Sequence, residues 1–184
     1  IKKYGKRIGG FNMKYGIAIF PSKKIQDEAN SYRKRYDPHY PLIPPHITIK
    51  EAFDADDDMI DELIPELKRV ANDTKPFKIR INKVSSFVPV TNTIYLKVEP
   101  EPEIIELYEK LHAGKFPQNK RYNFVPHITI GQKLLDDEYS DIFGRLKMKS
   151  FQFEEEVDRF QLLYQLENGS WTVYESFVFG KELV

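Results

Sequence analysis

An α+β architecture of two pseudo-symmetric lobes flanking a central cleft is predicted by three features of the sequence. The pentapeptide Pro-His-Ile-Thr-Ile occurs twice, at 45–49 and 126–130, in a chain with only four histidines. Each copy closes a segment of the same order, strand, helix and loop: Pro21 to His46 is 25 residues and Pro100 to His127 is 27. Several of the other apolar runs alternate with period two and end in turn residues, as antiparallel strands with one buried face do. A unit written twice at nearly one length predicts an internal duplication. Each lobe is expected to hold a mostly antiparallel sheet and two helices, with the duplicated strands facing the cleft.

The elements follow in order. YGIAIFPS (15–22) is a short apolar strand closed by Pro21, with Ser22 placed to cap a helix. Ile25, Ala29 and Tyr32 recur at helical spacing, and the loop YDPHYPLIPP leads to the first PHITI. DDDMIDELIPELKRVAND then puts Ile60, Leu63, Ile64, Leu67, Val70 and Ala71 on one helical face, with acidic residues at the positive end of the helix. Pro65 inside it predicts a kink. FKIRINKVSSF alternates as a strand. The second half opens with the strand TIYLKVEPEP (93–102) and a helix with Ile104, Ile105, Tyr108 and Leu111 on one face. The loop AGKFPQNKRYNFVP reaches the second PHITI, and LDDEYSDIFGRLK carries Tyr139, Ile142, Phe143 and Leu146 as one stripe. SFQFEEEVDRFQLLYQLE and SWTVYESFVFG are strands joined through Asn168-Gly169, a hairpin signal.

Composition narrows the functions. At 184 residues, 41% of them hydrophobic, the chain suits one compact unit, expected to be a single bilobal domain over 13–184. Residues 1–12 read as an N-terminal extension, since Met13 opens a strand-like run. With 28 basic and 28 acidic residues there is no global attraction to nucleic acid or anionic membrane. The absence of cysteine removes thiol nucleophiles, disulfides and cysteine-ligated zinc. No apolar run approaches the roughly 20 residues that span a bilayer, and a cytoplasmic protein is expected.

The duplicated motif carries the chemistry. Side chains alternate along a strand, so His46 and Thr48 point one way and Ile47 and Ile49 the other. His127 and Thr129 repeat the arrangement, with Ile128 and Ile130 inward. If the two strands face one cleft, two imidazoles form an acid–base pair, one neutral and one charged near neutral pH. The threonine hydroxyls are short donors on stiff side chains, suited to holding phosphate oxygens. The set matches metal-independent phosphoester cleavage: a base activates water or a 2′-hydroxyl, and an acid protonates the leaving oxygen. No cofactor or metal is implied, because neither motif contains a carboxylate and no His-x-x-x-His occurs. Gly-x-Ser-x-Gly and glycine-rich phosphate loops are absent as well.

At these residues the sequence resembles the two-histidine (2H) phosphoesterase superfamily, marked by a pair of His-x-Thr/Ser motifs in duplicated lobes. It is most similar to the YjcG-like branch, related to LigT and RNA 2′,3′-cyclic phosphodiesterases. YGIAIFPSKKIQDEANSYRKRYDPHYPLIPPHITI, SSFVPVTNTIYLKVEP, NFVPHITIGQ and LLYQLENGSWTVYESF carry the likeness, which covers 13–180. Both motifs are intact. The resemblance implies catalytic roles for His46 and His127, phosphate binding by Thr48 and Thr129, and a hydrolase whose substrate is an RNA end or nucleotide with a 2′,3′-cyclic phosphate. A non-catalytic binding module in the same cleft is the alternative, disfavoured because binding needs no paired acid and base; RNA end ligation is the same chemistry reversed. No protein partner and no membrane contact is inferred.

Further residues lie close to the motifs. Lys50 continues the alternation of His46 and Thr48 and either reaches the phosphate or is a solvated strand end. Phe87, Tyr122 and Phe124 either stack on a base or belong to the core. Arg33, Lys34 and Arg35 either attract a polyanion or form the solvated face of the first helix. His39 and His112 lack the flanking pattern and read as surface residues.

Overall fold

The structure is a computed structural model that describes residues 12–120 and 123–182. Of the expected N-terminal extension only Asn12 is among them, and the rest of that segment lies outside the described residues. The elements run β1 (Met13–Ile19), α1 (Lys23–Tyr36), β2 (Ile47–Ala55), α2 (Asp57–Asn72), β3 (Phe77–Ser86), β4 (Ile94–Val98), α3 (Pro102–Lys110), β5 (His127–Gly131), α4 (Asp136–Leu146), β6 (Phe153–Val157), β7 (Arg159–Gln165) and β8 (Trp171–Val178). They build two four-stranded antiparallel sheets, in the orders β2-β1-β7-β8 and β5-β4-β3-β6.

The two halves of the chain do not coincide with the two sheets. β3, from the first half, pairs with β4 and β6, while β7 and β8, from the second half, pair with β1. The run at 150–167 that reads as one strand is therefore two, divided at Asp158, and each part belongs to a different sheet. The signal lies in the pattern. Val157 and Phe160 are both buried three residues apart, a spacing one continuous strand would place on opposite faces.

Local chemistry explains the helices. Asp56 caps α2, its carboxylate accepting from Met59 N at 2.8 Å. α2 continues on both sides of Pro65, which is exposed, so water can replace the backbone bond that proline cannot donate. Ser22 starts α1 without a side-chain cap. Its hydroxyl donates instead to Glu155 Oε1 at 2.5 Å and its N–H to Glu155 Oε2 at 2.8 Å, tying the start of α1 to β6. On α3 the buried face is Ile104, Leu107 and Tyr108, while Ile105 turns to solvent.

Inward residues of both sheets share one apolar cluster, with Ile17, Ile19, Ile47 and Ile49 from one and Ile79, Ile81, Leu96, Ile128 and Ile130 from the other. Burying each such isoleucine is worth ~1.5–3 kcal/mol. Among the described residues no helix is long and apolar enough to cross a membrane.

Candidate functional site

β2 and β5 each occupy the edge of their sheet and approach one another. Their burial patterns match position for position: His46 and Thr48 are half-buried with Ile47 and Ile49 buried, and His127 and Thr129 are half-buried with Ile128 and Ile130 buried. The apolar side of each strand is taken by the core, which leaves imidazole and hydroxyl on the opposite face.

The likeness extends to the ring hydrogen bonds. His46 Nδ1 lies 2.8 Å from Pro44 O, and His127 Nδ1 lies 2.6 Å from Val125 O. A carbonyl can only accept, so in both rings Nδ1 carries the proton and donates it. Each neutral imidazole is thereby held in one tautomer, with an unprotonated Nε2. The carbonyl comes in both cases from the residue two positions upstream.

Both strands also break register at the same point. Ala18 pairs with Thr48 but Ile17 pairs with Lys50, which leaves Ile49 as an extra residue. Tyr95 pairs with Thr129 but Ile94 pairs with Gly131, which leaves Ile130 over. A bulge bends its strand and re-aims the side chain that follows. Lys50 consequently does not continue the face of His46 and Thr48. It is buried, and its ammonium donates to Pro117 O at 2.6 Å and Asn119 Oδ1 at 2.8 Å. Neither alternative drawn from simple alternation, a solvated strand end or an outward reach along the histidine face, describes that position.

The surroundings of the two imidazoles differ. Phe87 meets His127 edge to face at 5.0 Å, and Tyr95 lies 5.1 Å from the same ring. Phe87 also packs on Tyr95 at 4.4 Å. Ala18 occupies the place by Thr48 that Tyr95 occupies by Thr129, so His46 has no equivalent aromatic neighbour from β1. Burial pushes the pKa of His46 down to about 4, the Pro44 carbonyl opposing and the charges of Arg33 and His127 adding to the drop. Burial also lowers the pKa of His127, against the Val125 carbonyl. His46 is close enough to His127 for one charge to disfavour the other.

Arg33, like Lys50, departs from both sequence expectations. It is buried, with Nε 3.3 Å from Asp37 Oδ2, Nη1 donating to Asn30 Oδ1 at 2.8 Å and Nη2 donating to Ile43 O at 2.6 Å. It thus anchors the loop one residue ahead of the Pro44 carbonyl that orients His46. Lys34 and Arg35 are exposed. A signal was available, because Arg33 continues the Ile25, Ala29 spacing of the buried face and precedes Asp37 by one helical turn.

The remaining candidates separate. Phe124 lies flat on Tyr108, centroids 4.2 Å apart, as a packing residue half-buried against the core. Tyr122 lies outside the described residues. His112 is buried, not on the surface: its Nδ1 donates to Tyr108 O at 2.7 Å, and burial lowers its pKa. His39 is half-buried and its Nδ1 accepts from Gln132 Nε2 at 3.1 Å. Among the described residues no three His, Cys, Asp or Glu side chains gather where they could hold a metal ion. A groove of about 680 Å³ lined by Thr74, Lys78, Arg80, Glu101, Glu106 and Lys110 lies elsewhere and includes neither motif.

Comparison with known proteins gives a consistent set. The family model of the 2′-5′ RNA ligase superfamily matches residues 21–169. A protein of Oceanobacillus iheyensis provisionally named a phosphoesterase is 62% identical over 170 residues, 92% of this chain and 100% of that one. Another so named, from Geobacillus sp. (strain WCH70), is 59% identical over 168 residues, 91% of this chain and 97% of its own. Among solved structures, E. coli LigT complexed with 3′-AMP superimposes with a TM-score of 0.69 at 14% identity, covering 92% of this chain and 99% of LigT. A Thermus thermophilus protein gives 0.70 at 20% identity, covering 93% and 100%. These two likenesses establish the two-lobed fold.

Proposed function

Because the chain belongs to the 2′-5′ RNA ligase superfamily, that of the two-histidine phosphoesterases, we propose that it is a phosphoesterase using His46 and His127 as general base and general acid. The substrate we infer is a phosphodiester or 2′,3′-cyclic phosphate of an RNA end or nucleotide. The observation that carries this reading is the matched pair of Nδ1 hydrogen bonds to Pro44 and Val125 carbonyls. His112 makes such a bond too, so the weight lies on the pairing: two matched strands each fix one tautomer in the same way, as proton transfer through Nε2 requires. The finer placement, in the YjcG-like branch, rests on the sequence stretches quoted above.

The environments favour one order of events. With its pKa near 4 and the Arg33 charge beside it, His46 is neutral and acts as the base. Its Nε2 takes a proton from water while the water oxygen bonds to phosphorus. A phosphate anion entering the cleft favours protonation of a nearby imidazole, and His127, which lacks the opposing Arg33 charge that acts on His46, is better placed to carry the charge. His127 then donates its proton to the leaving oxygen as the P–O bond breaks. Thr48 and Thr129 hydroxyls donate to the non-bridging oxygens. LigT has been crystallised with 3′-AMP, ATP and NADP+, and a nucleotide is the ligand class we infer here.

The test is turnover of 2′,3′-cyclic nucleotides and of RNA oligomers with defined terminal phosphates, with an end-joining assay beside it. His46→Ala and His127→Ala are each expected to lower kcat by roughly 10²–10⁴-fold, and chelator to leave the wild-type rate unchanged. Full activity in both variants would end the assignment. Binding of cyclic phosphates without turnover would move the protein to the binding-module reading.

A further inference from the structure

The two motif strands are tied across the cleft by a pair of crossed contacts, and these go beyond the chemistry just assigned while resting on it for their catalytic consequence. Counting from the histidines, Lys50 and Gly131 occupy equivalent positions, as do Glu51 and Gln132. Both pairs directly follow the bulges. In the first half, Lys50 Nζ donates to Pro117 O and Asn119 Oδ1, and Asn119 Nδ2 donates back to Glu51 O at 2.9 Å. In the second half, Gln132 N donates to Tyr36 O at 3.0 Å and Gln132 Nε2 to Asp37 Oδ1 at 2.8 Å. Residues 117–119 belong to the segment that runs into His127, and Tyr36 and Asp37 begin the segment that runs into His46. Each strand leaving one histidine therefore holds the segment entering the other.

The two ties are chemically unlike because the approaches differ. At Gly131 an added Cβ would fall 3.1 Å from Tyr36 Cβ and 3.5 Å from Tyr36 O, so the end of α1 comes in directly against bare backbone. At Lys50 the opposing loop stands farther off and a long side chain spans the gap. The ammonium is buried between a carbonyl and an amide oxygen, with Lys120 and His112 as the other titratable groups near it. A buried charge is costly unless it is hydrogen-bonded, and here the two hydrogen bonds both compensate it and fix the loop.

We propose that Lys50 and Gln132 are positioning residues: each holds the segment leading into the opposite histidine and thereby sets how the two imidazoles face one phosphorus. A misplacement of about 1 Å can cost on the order of 10²-fold in rate, so loosening either tie lowers kcat more than it changes KM.

Hydrogen exchange and imidazole NMR on the full chain test the ties independently of turnover. Lys50→Met and Asn119→Ala are expected to speed exchange within 113–120 by about tenfold, the scale of one hydrogen bond to a charged group, and to shift the His127 ring resonances. Gln132→Ala is expected to act on 36–43 and His46 instead. Asn119→Asp keeps an acceptor for the ammonium but loses the donor to Glu51 O, and should restore part of the protection of 113–120 that Asn119→Ala loses. Uniformly faster exchange through the chain, or unchanged exchange in 113–120 with both Lys50→Met and Asn119→Ala, overturns the proposal; if Lys50→Met does not fold, Asn119→Ala decides. Kinetics on a 2′,3′-cyclic nucleotide add the expected fall of kcat with near-constant KM, and a fall confined to KM overturns the positioning role. A wild-type chain that turns over no cyclic phosphate defeats the phosphoesterase reading alone, while the exchange and ring shifts still decide the ties.

Discussion

The Arg33 guanidinium donates to three acceptors in a buried place, and it holds the loop that leads into His46. Removing it leaves the Asp37 carboxylate buried without its charge partner. Arg33→Met is therefore expected to destabilise the protein by ~3–5 kcal/mol in urea unfolding, and to lower activity because the Ile43 carbonyl next to the His46 anchor is released. A loss under ~1 kcal/mol would show the pair to be weakly coupled. Twelve residues after Pro21 stands Arg33, and twelve after Pro100 stands His112. Both are buried near the end of the helix that follows, and both hydrogen-bond to a backbone carbonyl. Helical spacing places each on its apolar face; only the polar residue type argued otherwise.

His46 also makes stability depend on pH. Its folded pKa, about 4, lies below the ~6.5 of an unfolded histidine. As pH falls through ~6.5 the unfolded chain takes up the proton first, so stability declines from there down to about 4 and is fully present above ~6.5. The downward shift of His127 has the same sign. Urea midpoints measured from pH 7.5 to 4.5 should fall more steeply for wild type than for His46→Asn. Parallel curves would show that His46 titrates normally.

At the scale of elements, the bulges do what alternation alone cannot. The period of two correctly separates His46 and Thr48 from Ile47 and Ile49, and it fails at Lys50, where the extra residue Ile49 resets the phase. The glycine at the equivalent place in β5 has a steric reason, the near contact of Tyr36. Gly131→Ala should push the end of α1 away from β5 and destabilise by ~1–3 kcal/mol, as overpacking does. Calorimetry checks this, and an unchanged Tm would mean that α1 yields freely. Other expectations at this scale hold where the pattern is long: the Ile60, Leu63, Leu67, Ala71 face of α2 is buried as spaced. They slip where it is short, as with Ile105 on the nine-residue α3.

At the scale of the whole molecule, strand exchange joins the halves. β3 lies in the sheet of the second motif and β7 and β8 in that of the first, with one apolar cluster spanning both. Neither half can complete a sheet alone. Thermal unfolding should accordingly be a single transition by calorimetry and by circular dichroism, and a fragment ending at Ser86 should not fold. Two separated transitions would mean that the lobes are independent units.

The sequence by itself determined the two-lobed α+β class, the four candidate side chains of the site and their sorting to one face of each strand, because these depend on short-range periodicity and on a motif written twice. Tertiary structure alone decided which strand joins which sheet, where Lys50 points and what surrounds each imidazole. Those outcomes depend on contacts between residues far apart in the chain, such as Lys50 with Asn119 and Gln132 with Asp37. Local spacing carries no information about partners brought together only by folding.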